Sequence, residues 1–311
     1  MKPLTTLILL AYNHEKFIES AVRSVLNQDY ENIEIIISDD CSTDATFQKA
    51  SDATKSYLSN KNVILNKNDK NLGLTAHFNK LLQMANGEII VIAAGDDISL
   101  PNRVTQSVNI LLEHKDVSFV SFNEELIDSN GNVSSIGKRV SFSGLHKFNL
   151  KNYMEGEEIP FSGASRAFRK DIYNYFGNLN NDCPTEDTPY ILRGLMMGKT
   201  AISSDIAIQY RRHDNNLSNP LSLANMDVDA ISSQYKTDIQ TAESKKGISK
   251  EDALKLLVWV ENNLIRRKKI NQLYLSKSKI TYFLRNLAFE RSISTVNRVK
   301  LLGHIILKKI P

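Results

Sequence analysis

The chain of 311 residues is long enough to bury a full core, and 41% hydrophobic with 24% charged residues is the composition of a folded globular protein, which excludes disorder. No stretch has the apolar length of a bilayer-spanning helix, and the first residues lack the features of a signal peptide, so we expect a cytoplasmic protein. The net charge of +4 is unevenly spread, because residues 245–311 carry +12 and residues 1–244 therefore carry −8.

Apolar runs alternate with stretches of helical period through the first 128 residues. This alternation is the pattern of βαβ units around a mostly parallel sheet. In chain order it predicts strand 7–11, helix 17–26, strand 33–38, helix 45–58, strand 62–65, helix 74–82, strand 88–93, helix 101–113 and strand 117–122. We therefore predict an α/β protein with helices on both faces of a central sheet.

The pattern changes after about residue 129, where turn-forming residues predominate. Helical periods return at 172–176 and 188–197, and a last strand is predicted at 200–210. From residue 225 onward the chain is predicted to be helical, with Lys and Arg on the polar faces. We predict a first region over 1–218, divided at residue 128, and a basic helical extension over 219–311.

Polar residues follow three of the predicted strands, and ligands bind beyond the carboxyl ends of strands in open parallel sheets. Two adjacent carboxylates repel unless a cation lies between them, and such an oxygen site suits Mg²⁺ or Mn²⁺ carrying phosphates. The residues concerned are Tyr12 and Asn13, Asp39 and Asp40, and Asp96 and Asp97.

Helix capping is the competing explanation for the acidic pair at 96–97, since Asp97 or Ser99 can cap the helix that begins near Pro101. Other kinds of phosphate site are excluded by the sequence. No G-x-G-x-x-G follows the first strand, and no G-x-x-x-x-G-K-[ST] is present, so neither a dinucleotide fingerprint nor a P-loop is available.

Four segments in the same order resemble the family 2 glycosyltransferases, which have the GT-A fold. They are LILLAYNHEKFIESAVRSVLNQDYENIEIIISDDCSTDAT, NLGLTAHFNKLLQMANGEIIVIAAGDDISLPNRV, CPTEDTPYILRGL and YRRHDNNLS. The resemblance covers roughly the first 218 residues and implies that they form a catalytic domain, with a nucleotide-sugar-binding half over 1–128 and an acceptor half over 129–218. It implies a GT-A fold and transfer of a sugar from a nucleotide-sugar to an acceptor.

The resemblance assigns roles to the donor-side residues. Tyr12 takes the position of the aromatic residue that packs on the uracil base, and Asp40 the position of the aspartate that reads it. Asp96 falls on the residue that contacts ribose and Asp97 on the metal ligand. The chain departs from a strict Asp-X-Asp motif, because Gly95 stands two positions before Asp97.

The acceptor-side positions also match. Asp187 falls on the general base and Glu186 on its acidic neighbour, which implies inversion through one displacement. His213 falls on a histidine that reaches the metal or diphosphate, and Arg211 on a substrate-binding position. Sequence alone leaves alternatives open, since Asp187 can interact with the dipole of a helix N-terminus and Arg211 can belong to a solvated strand edge.

The resemblance implies a UDP-sugar donor, with UDP-glucose as the first expectation, and Mn²⁺ or Mg²⁺ as cofactor. Many similar enzymes build O-antigen or capsule units on undecaprenyl diphosphate, so a GlcNAc-diphosphate-lipid acceptor is expected. Two other functions stay open. One is a nucleotidyltransferase that makes the nucleotide-sugar, although AYNHEKF is not the Gly-rich basic loop it requires, and the other is a non-catalytic nucleotide-sugar or membrane-binding module.

The segment VNRVKLLGHIILKKIP predicts an amphipathic helix with an apolar stripe and basic residues outside it. Such a helix can lie in an anionic membrane interface, or its stripe can pack on the catalytic region. No nucleic-acid partner is expected, because exposed aromatics are not interleaved with the basic residues. The stripe consists of Val296, Val299, Leu302, Ile306 and Ile310.

Overall fold

The computed structural model describes residues 2–57, 61–137, 140, 142–157, 159–214, 216–288 and 295–306. The chain forms two compact units. The first contains residues 1–181 and 185–212, and the second contains 182–184 and 213–311. The first unit ends at Arg212, whereas the sequence-based division at 218 remains a prediction.

A ten-stranded sheet forms the centre of the first unit in the described chain. Its strands are β1 Thr5–Ala11, β2 Ile33–Asp39, β3 Asn62–Lys67, β4 Ile89–Ala94, β5 Ile98–Ser99, β6 Val117–Ile127, β7 Val133–Gly137, β8 Leu145–Phe148, β9 Ala167–Arg169 and β10 Lys199–Arg211. The order is β3-β2-β1-β4-β9-β6-β10-β5, with β7 beside β6 and β8 beside β10. The long strands are parallel, and β5, β7, β8 and β9 are short antiparallel additions.

Helices cover both faces of this sheet, so its central strands are buried on both sides. Along β1, Leu7 and Leu9 contribute to one apolar cluster, whereas Ile8 and Leu10 contribute to the other. This division follows from the two-residue period of a strand. The helices of the first unit are α1 Ile18–Leu26, α2 Thr46–Lys55, α3 Leu74–Met84, α4 Arg103–Glu113, α5 Leu150–Met154, α6 Asp171–Phe176 and α7 Asp187–Met197, with a 3₁₀ turn at Gly163–Ser165.

The strand register brings the predicted site segments to one edge of the sheet. Ala11 pairs with Asp39 across β1 and β2, and Leu10 pairs with Ala94 across β1 and β4. Because these strands are parallel, their carboxyl ends lie together. Strand β9 runs antiparallel between β4 and β6, so the turn that precedes β9 enters the sheet from this same edge.

The second unit is helical in its described part, with α8 Pro220–Ala224, α9 Val228–Ser244, α10 Lys250–Leu275, α11 Lys279–Asn286 and α12 Thr295–Ile306. The Asp227 side chain caps α9 and the Ser249 side chain caps α10. None of the described helices has both the length and the apolar character to cross a membrane. The predicted α/β class with a C-terminal helical extension is confirmed.

The apolar stripe predicted for the last helix is divided in the structure. Leu302 packs with its neighbour Leu301 against a small cluster of α10 and α11 residues, whereas Val299 is 66% exposed. The stripe therefore packs within the second unit over part of its length. Ile310 and the side chains of Val296 and Ile306 lie outside the described part of the chain.

Candidate active site

The loops that follow β1, β2 and β4 interlock at the edge where these strands end. The Asp40 N–H donates to the Ala11 carbonyl at 2.9 Å, and the Gly95 N–H donates to the Leu10 carbonyl at 2.8 Å. The two acidic loops therefore flank the end of β1. Tyr12, which follows β1, is 43% exposed, so its ring is accessible to a ligand.

The Asp40 carboxylate is buried and organises the loop that leads into α3. Its Oδ1 accepts hydrogen bonds from Asn68 Nδ2 at 2.7 Å and from the Leu72 N–H at 2.9 Å. Its Oδ2 accepts the Gly73 N–H at 3.0 Å, and Gly73 has a φ of +79° that favours glycine. Because Oδ2 accepts only one of these three bonds, it retains a lone pair for a ligand donor.

Asp96 and Asp97 follow β4 and differ in their exposure. Asp97 is 5% exposed, and its Oδ1 accepts the Arg211 N–H at 2.8 Å. Burial raises the pKa of Asp97 well above the ordinary 3.8, and the charge of Asp96 raises it further. A cation bound beside this pair would therefore stabilise the charged form of Asp97.

Arg211 links three segments of this edge through its side chain, which is buried. Nε donates to the Asp96 carbonyl at 2.8 Å and Nη1 donates to the Asp128 carbonyl at 3.0 Å. The guanidinium also lies 4.9 Å from the centre of the Phe17 ring. Arg211 thus holds backbone around the acidic pair, and its predicted substrate contact remains a prediction.

Gly95 is packed so closely that no side chain fits at its position. A Cβ on Gly95 would lie 2.7 Å from His14 Nδ1 and 2.9 Å from Ala11 Cβ. His14 Nε2 in turn lies 3.9 Å from Asp96 Oδ2. The His14 ring therefore takes the space that the first acid of a strict Asp-X-Asp motif would need, which explains the glycine in this chain.

Arg103 ties the end of β4 to the turn that precedes β9. It is 1% exposed, and it donates to Ser99 Oγ and to the Ala164 carbonyl at 2.9 and 2.8 Å and also to the Ile92 carbonyl. Burial lowers its pKa to about 9, and the charge of Asp97 opposes that shift. Arg103 is therefore still cationic at neutral pH and lowers the electrostatic cost of Asp97.

The turn that precedes β9 is also fastened to β6 by buried hydroxyl groups. Ser162 Oγ donates to Glu124 Oε2 at 2.6 Å, and the Ser162 N–H donates to Ser121 Oγ at 2.9 Å. Ser165 Oγ accepts the Phe122 N–H at 2.9 Å. This turn thus contacts β6 directly and the end of β4 through Arg103.

Asp187 is the first residue of α7, and its two carboxylate oxygens have different surroundings. Oδ1 accepts from Thr185 Oγ1 and from the Thr188 N–H, both at 2.5 Å, and from Thr188 Oγ1 at 3.0 Å. Oδ2 faces Gly163, where an added Cβ would lie only 2.3 Å away. Oδ2 accepts none of these three hydrogen bonds, and the proton-accepting role of Asp187 remains a prediction.

Glu186 forms a buried ion pair instead of standing free beside Asp187. Its Oε1 accepts from Arg166 Nη2 at 2.5 Å, and the two side chains are 9% and 3% exposed. Arg166 Nη1 also donates to the Gly163 carbonyl. The substrate-binding role predicted for Glu186 stays untested, and in this structure its carboxylate is occupied by the arginine.

His213, the second predicted metal ligand, belongs to the second unit. There its N–H donates to Asn216 Oδ1 at 2.6 Å. Its role at a metal remains a prediction.

Within the described residues, no set of three or more His, Cys, Asp and Glu side chains could hold a metal ion. Mg²⁺ commonly takes one or two protein carboxylates and completes its shell with water and substrate phosphate. Asp96 and Asp97 fit that kind of site, because one is buried beside the like charge of the other. The donor set therefore fits Mn²⁺ or Mg²⁺ held jointly with a diphosphate.

Several residues around these acids were not singled out from the sequence, namely His14, Arg103, Gly163 and Arg166. Only Arg166 carried a signal, since it lies in the run FSGASRAF and a cation among small and apolar residues is expected to need a buried acidic partner. The others act through contacts between distant segments, and no local pattern marks them.

Residues 6–176 match the family model described as "Glycosyl transferase family 2". The chain belongs to glycosyl transferase family 2. The match covers the segments that carry Tyr12, Asp40, Asp96 and Asp97, and it spans more than half of the chain. The predicted family is therefore confirmed.

Two curated relatives of this family 2 chain have specific names. The UDP-Glc:alpha-D-GlcNAc-diphosphoundecaprenol beta-1,3-glucosyltransferase WfgD of Escherichia coli is 31% identical over 44% of this chain and 51% of that protein. The GalNAc(5)-diNAcBac-PP-undecaprenol beta-1,3-glucosyltransferase of Campylobacter jejuni is 31% identical over 55% of this chain and 53% of that protein. The chain spans about half the length of most of the curated relatives it matches.

Solved structures support the fold of this family 2 member. S. aureus TarS 1-349 in complex with UDP-GlcNAc aligns with a TM-score of 0.63 and 17% identity, over 99% of this chain and 81% of that one. The mannosyltransferase PcManGT from Pyrobaculum calidifontis, in complex with GDP-Man and Mn²⁺, aligns with a TM-score of 0.59 and 16% identity, over 98% and 87%. The predicted GT-A fold is confirmed.

Proposed function

We propose that the protein transfers a sugar from a UDP-sugar to an acceptor hydroxyl with inversion at the anomeric carbon. One observation carries this proposal. Arg103 donates to the Ile92 carbonyl of β4, the strand that the acidic pair follows, and to the Ala164 carbonyl of the turn that faces Asp187 at Gly163. The proposed donor site and the proposed proton acceptor are thus connected through this one turn.

On the donor side, Tyr12 packs on the uracil and Asp40 accepts a hydrogen bond from it. The exposure of the Tyr12 ring and the remaining lone pair of Asp40 Oδ2 support these roles. Asp96 contacts the ribose. Asp97 would hold Mn²⁺ or Mg²⁺, and when bound this cation would offset the charge that develops on the departing diphosphate.

On the acceptor side, Asp187 Oδ2 takes the proton of the attacking hydroxyl. The acceptor oxygen bonds to the anomeric carbon as the bond from that carbon to the diphosphate oxygen breaks, and the electron pair leaves with UDP. The contacts of Thr185 and Thr188 hold Oδ1 and orient Oδ2 for this step.

The two named relatives suggest the substrates. Their names describe glucosyltransferases that act on undecaprenol-linked saccharides, one of which uses UDP-Glc. We propose UDP-glucose as the donor and a GlcNAc-diphosphate-undecaprenol type intermediate of O-antigen or capsule biosynthesis as the acceptor. No nucleic acid takes part.

A lipid-linked acceptor requires the enzyme to reach a membrane surface, and we propose peripheral contact at the cytoplasmic face. Residues 262–289 contain seven Lys and Arg and no Asp or Glu. Within this range α11 exposes Ile280 and Leu284, which are 52% and 58% exposed. Basic residues around exposed apolar side chains favour anionic lipid.

The deciding experiment incubates the purified protein with Mn²⁺, a panel of UDP-sugars and a GlcNAc-diphosphate-lipid analogue, and measures UDP release and product linkage. We expect acceptor-dependent UDP release that is greatest with UDP-glucose, and a β-linked product. Failure to release UDP from any donor in the presence of acceptor would overturn the proposed activity. An α-linked product would overturn inversion.

A further inference from the structure

We infer that Arg166 and Gly163 position the catalytic base Asp187, and that Glu186 is the anchor of this arrangement rather than a substrate contact. The inference rests on the proposed function, since it concerns the support of the proposed base. It assigns roles to two residues that lie outside the acidic motifs.

The first step concerns the buried Arg166 side chain, which has partners on two segments, the start of α7 and the turn before β9. Nη2 donates to Glu186 Oε1 and Nη1 donates to the Gly163 carbonyl, both at 2.5 Å. Arg166 itself is 2% exposed, and its guanidinium lies 5.5 Å from the centre of the Phe78 ring. One planar cation therefore joins the turn before β9 to the first turn of α7.

The second step concerns the wall that this turn presents to the base. Gly163 lies so close to Asp187 that a Cβ would approach Oδ2 to 2.3 Å and Cγ to 3.2 Å. Since Arg166 holds the Gly163 carbonyl and also the residue next to Asp187, it fixes both sides of this contact. A small movement of either segment would shift Oδ2 away from the acceptor hydroxyl.

The third step concerns the charge of Glu186. A carboxylate that is only 7% exposed needs its cation, and removing one member of a buried ion pair is far more disruptive than replacing both by neutral groups. Glu186 therefore has little freedom to leave Arg166 for a substrate. The two adjacent acids therefore have different contacts, since Glu186 pairs with Arg166 at the start of α7 and Asp187 faces Gly163 in the turn before β9.

The first test is Gly163→Ala. The added methyl displaces the Asp187 carboxylate, and we expect kcat to fall on the order of 10- to 100-fold while the donor KM and the melting temperature change little. Gly303→Ala is the matched control, because its Cβ meets nothing within 4 Å. Wild-type kcat in Gly163→Ala would overturn the positioning role of Gly163.

The second test uses the ion pair. Arg166→Met and Glu186→Gln should each lower stability and kcat, and the double variant Arg166→Met/Glu186→Gln should recover stability without recovering kcat. Arg169→Met is the matched control, because Arg169 donates to the Val117 and Leu111 carbonyls away from the acids. Recovery of kcat together with stability in the double variant would show a merely structural role and overturn the inference.

The third test does not depend on catalysis. Hydrogen exchange in ligand-free Arg166→Met should accelerate in residues 185–190 relative to wild type, with no change in α1. Unchanged exchange in 185–190 would overturn the inference even for an active enzyme. If the wild-type protein transferred no sugar, the proposed function would fail, and the exchange result would still decide whether Arg166 anchors this helix start.

Discussion

The two compact units differ in how many of their large apolar side chains are exposed. Among the described residues, only three large apolar side chains of the first unit are exposed, namely Tyr12, Val133 and Met197. Ten are exposed in the second unit: Leu217, Leu221, Leu223, Leu254, Val258, Ile265, Leu275, Ile280, Leu284 and Val299. The second unit also contains the segment of net charge +12. Where exposed apolar side chains form a contiguous patch, they are typical of a surface that binds a membrane or a protein partner.

The two units therefore differ in how they bury their apolar side chains. The first unit buries a large apolar core on both faces of its sheet. Its candidate site residues lie at one edge of this sheet. The second unit buries fewer apolar side chains among its described residues, namely a set on α9 and α10 that includes Ile231, Tyr235, Ile239, Leu256 and Val260, and a cluster of Leu273, Phe283, Leu287 and Ile305. We therefore expect catalysis and most of the folding energy to depend on the first unit, and surface attachment to depend on the second.

The largest expected effect is on catalysis. Asp187→Asn removes the proposed proton acceptor while preserving the shape of the side chain, and we expect turnover to fall about 1,000-fold, within the range of general-base contributions. Steady-state UDP release measures it. Asp171→Asn, at the first residue of α6, is the control and should keep wild-type turnover. Near wild-type turnover in Asp187→Asn would show that the base lies elsewhere.

Core truncation in each unit should separate their folding. Phe119 is fully buried and stacks on Phe168 with centroids 6.4 Å apart, so Phe119→Ala should cost about 3–5 kcal/mol. Phe283→Ala should loosen only the helices of the second unit. Hydrogen exchange distinguishes the two variants, since Phe283→Ala should leave β1 protected. Equal loss of protection in β1 for both would remove the distinction between the units.

Membrane attachment should depend on exposed residues of the second unit. The double substitution Ile280→Ser/Leu284→Ser should weaken binding to phosphatidylglycerol vesicles on the order of tenfold, because two exposed side chains no longer enter the interface. Vesicle co-sedimentation at low salt measures it. Val133→Ser, an exposed change in the first unit, should have no effect. Equal binding by all three proteins would place attachment elsewhere or exclude it.

A smaller effect concerns stability at the acidic edge. The pKa of Asp97 is raised in the folded chain above the ordinary 3.8 because of burial and the nearby Asp96, so the folded state retains the proton to higher pH. The free energy of unfolding therefore falls as pH rises from 3.8 through the raised value. Asp97→Asn should stabilise the ligand-free protein at pH 7 by about 1 kcal/mol, with little effect at pH below 3.8.

Thermal melts across pH in the presence of a chelator measure this effect, and Asp116 provides a control of opposite sign. Hydrogen bonds from Lys147 and Lys199 lower the pKa of Asp116 to about 2, so its contribution to stability is present at neutral pH and is lost as pH falls toward 2. Asp116→Asn should therefore destabilise the protein slightly at pH 7. A destabilised Asp97→Asn at pH 7 would contradict the electrostatic reading of the acidic pair.

The long strands and the helices α1 to α4 were predictable, since a strand buried on both faces shows an uninterrupted apolar run and an amphipathic helix shows a clear period. Strand 7–11 was predicted and Thr5–Ala11 is found. Strands β5 and β9 have two and three residues, too few to show a period. The extension of β6 to Ile127 also escaped prediction, because the polar run 123–125 interrupts the apolar pattern.

From the pattern of the residues alone, candidate site residues could be predicted where they follow a strand, whereas Asp187 was predicted from the family resemblance. Asp40 and Asp97 were predicted from their positions, because strand ends can be read from the apolar runs, and their roles stay predictions. The pairing of Arg166 with Glu186 joins residues 20 positions apart on two different elements, and that of Gly95 with His14 depends on the close approach of two loops. Such contacts follow from tertiary packing and leave no local trace.

The antiparallel strand β9 has a consequence for how this chain can diverge. All three of its residues pair with β4 and two of them also pair with β6, so a change in the length of the turn that leads into it would disturb both pairings. The stretch between β6 and this turn contains β7 and β8, whose pairs are with β6 and β10. Changes confined to the links between these short strands would therefore leave the pairs of β9 with β4 and β6 in place.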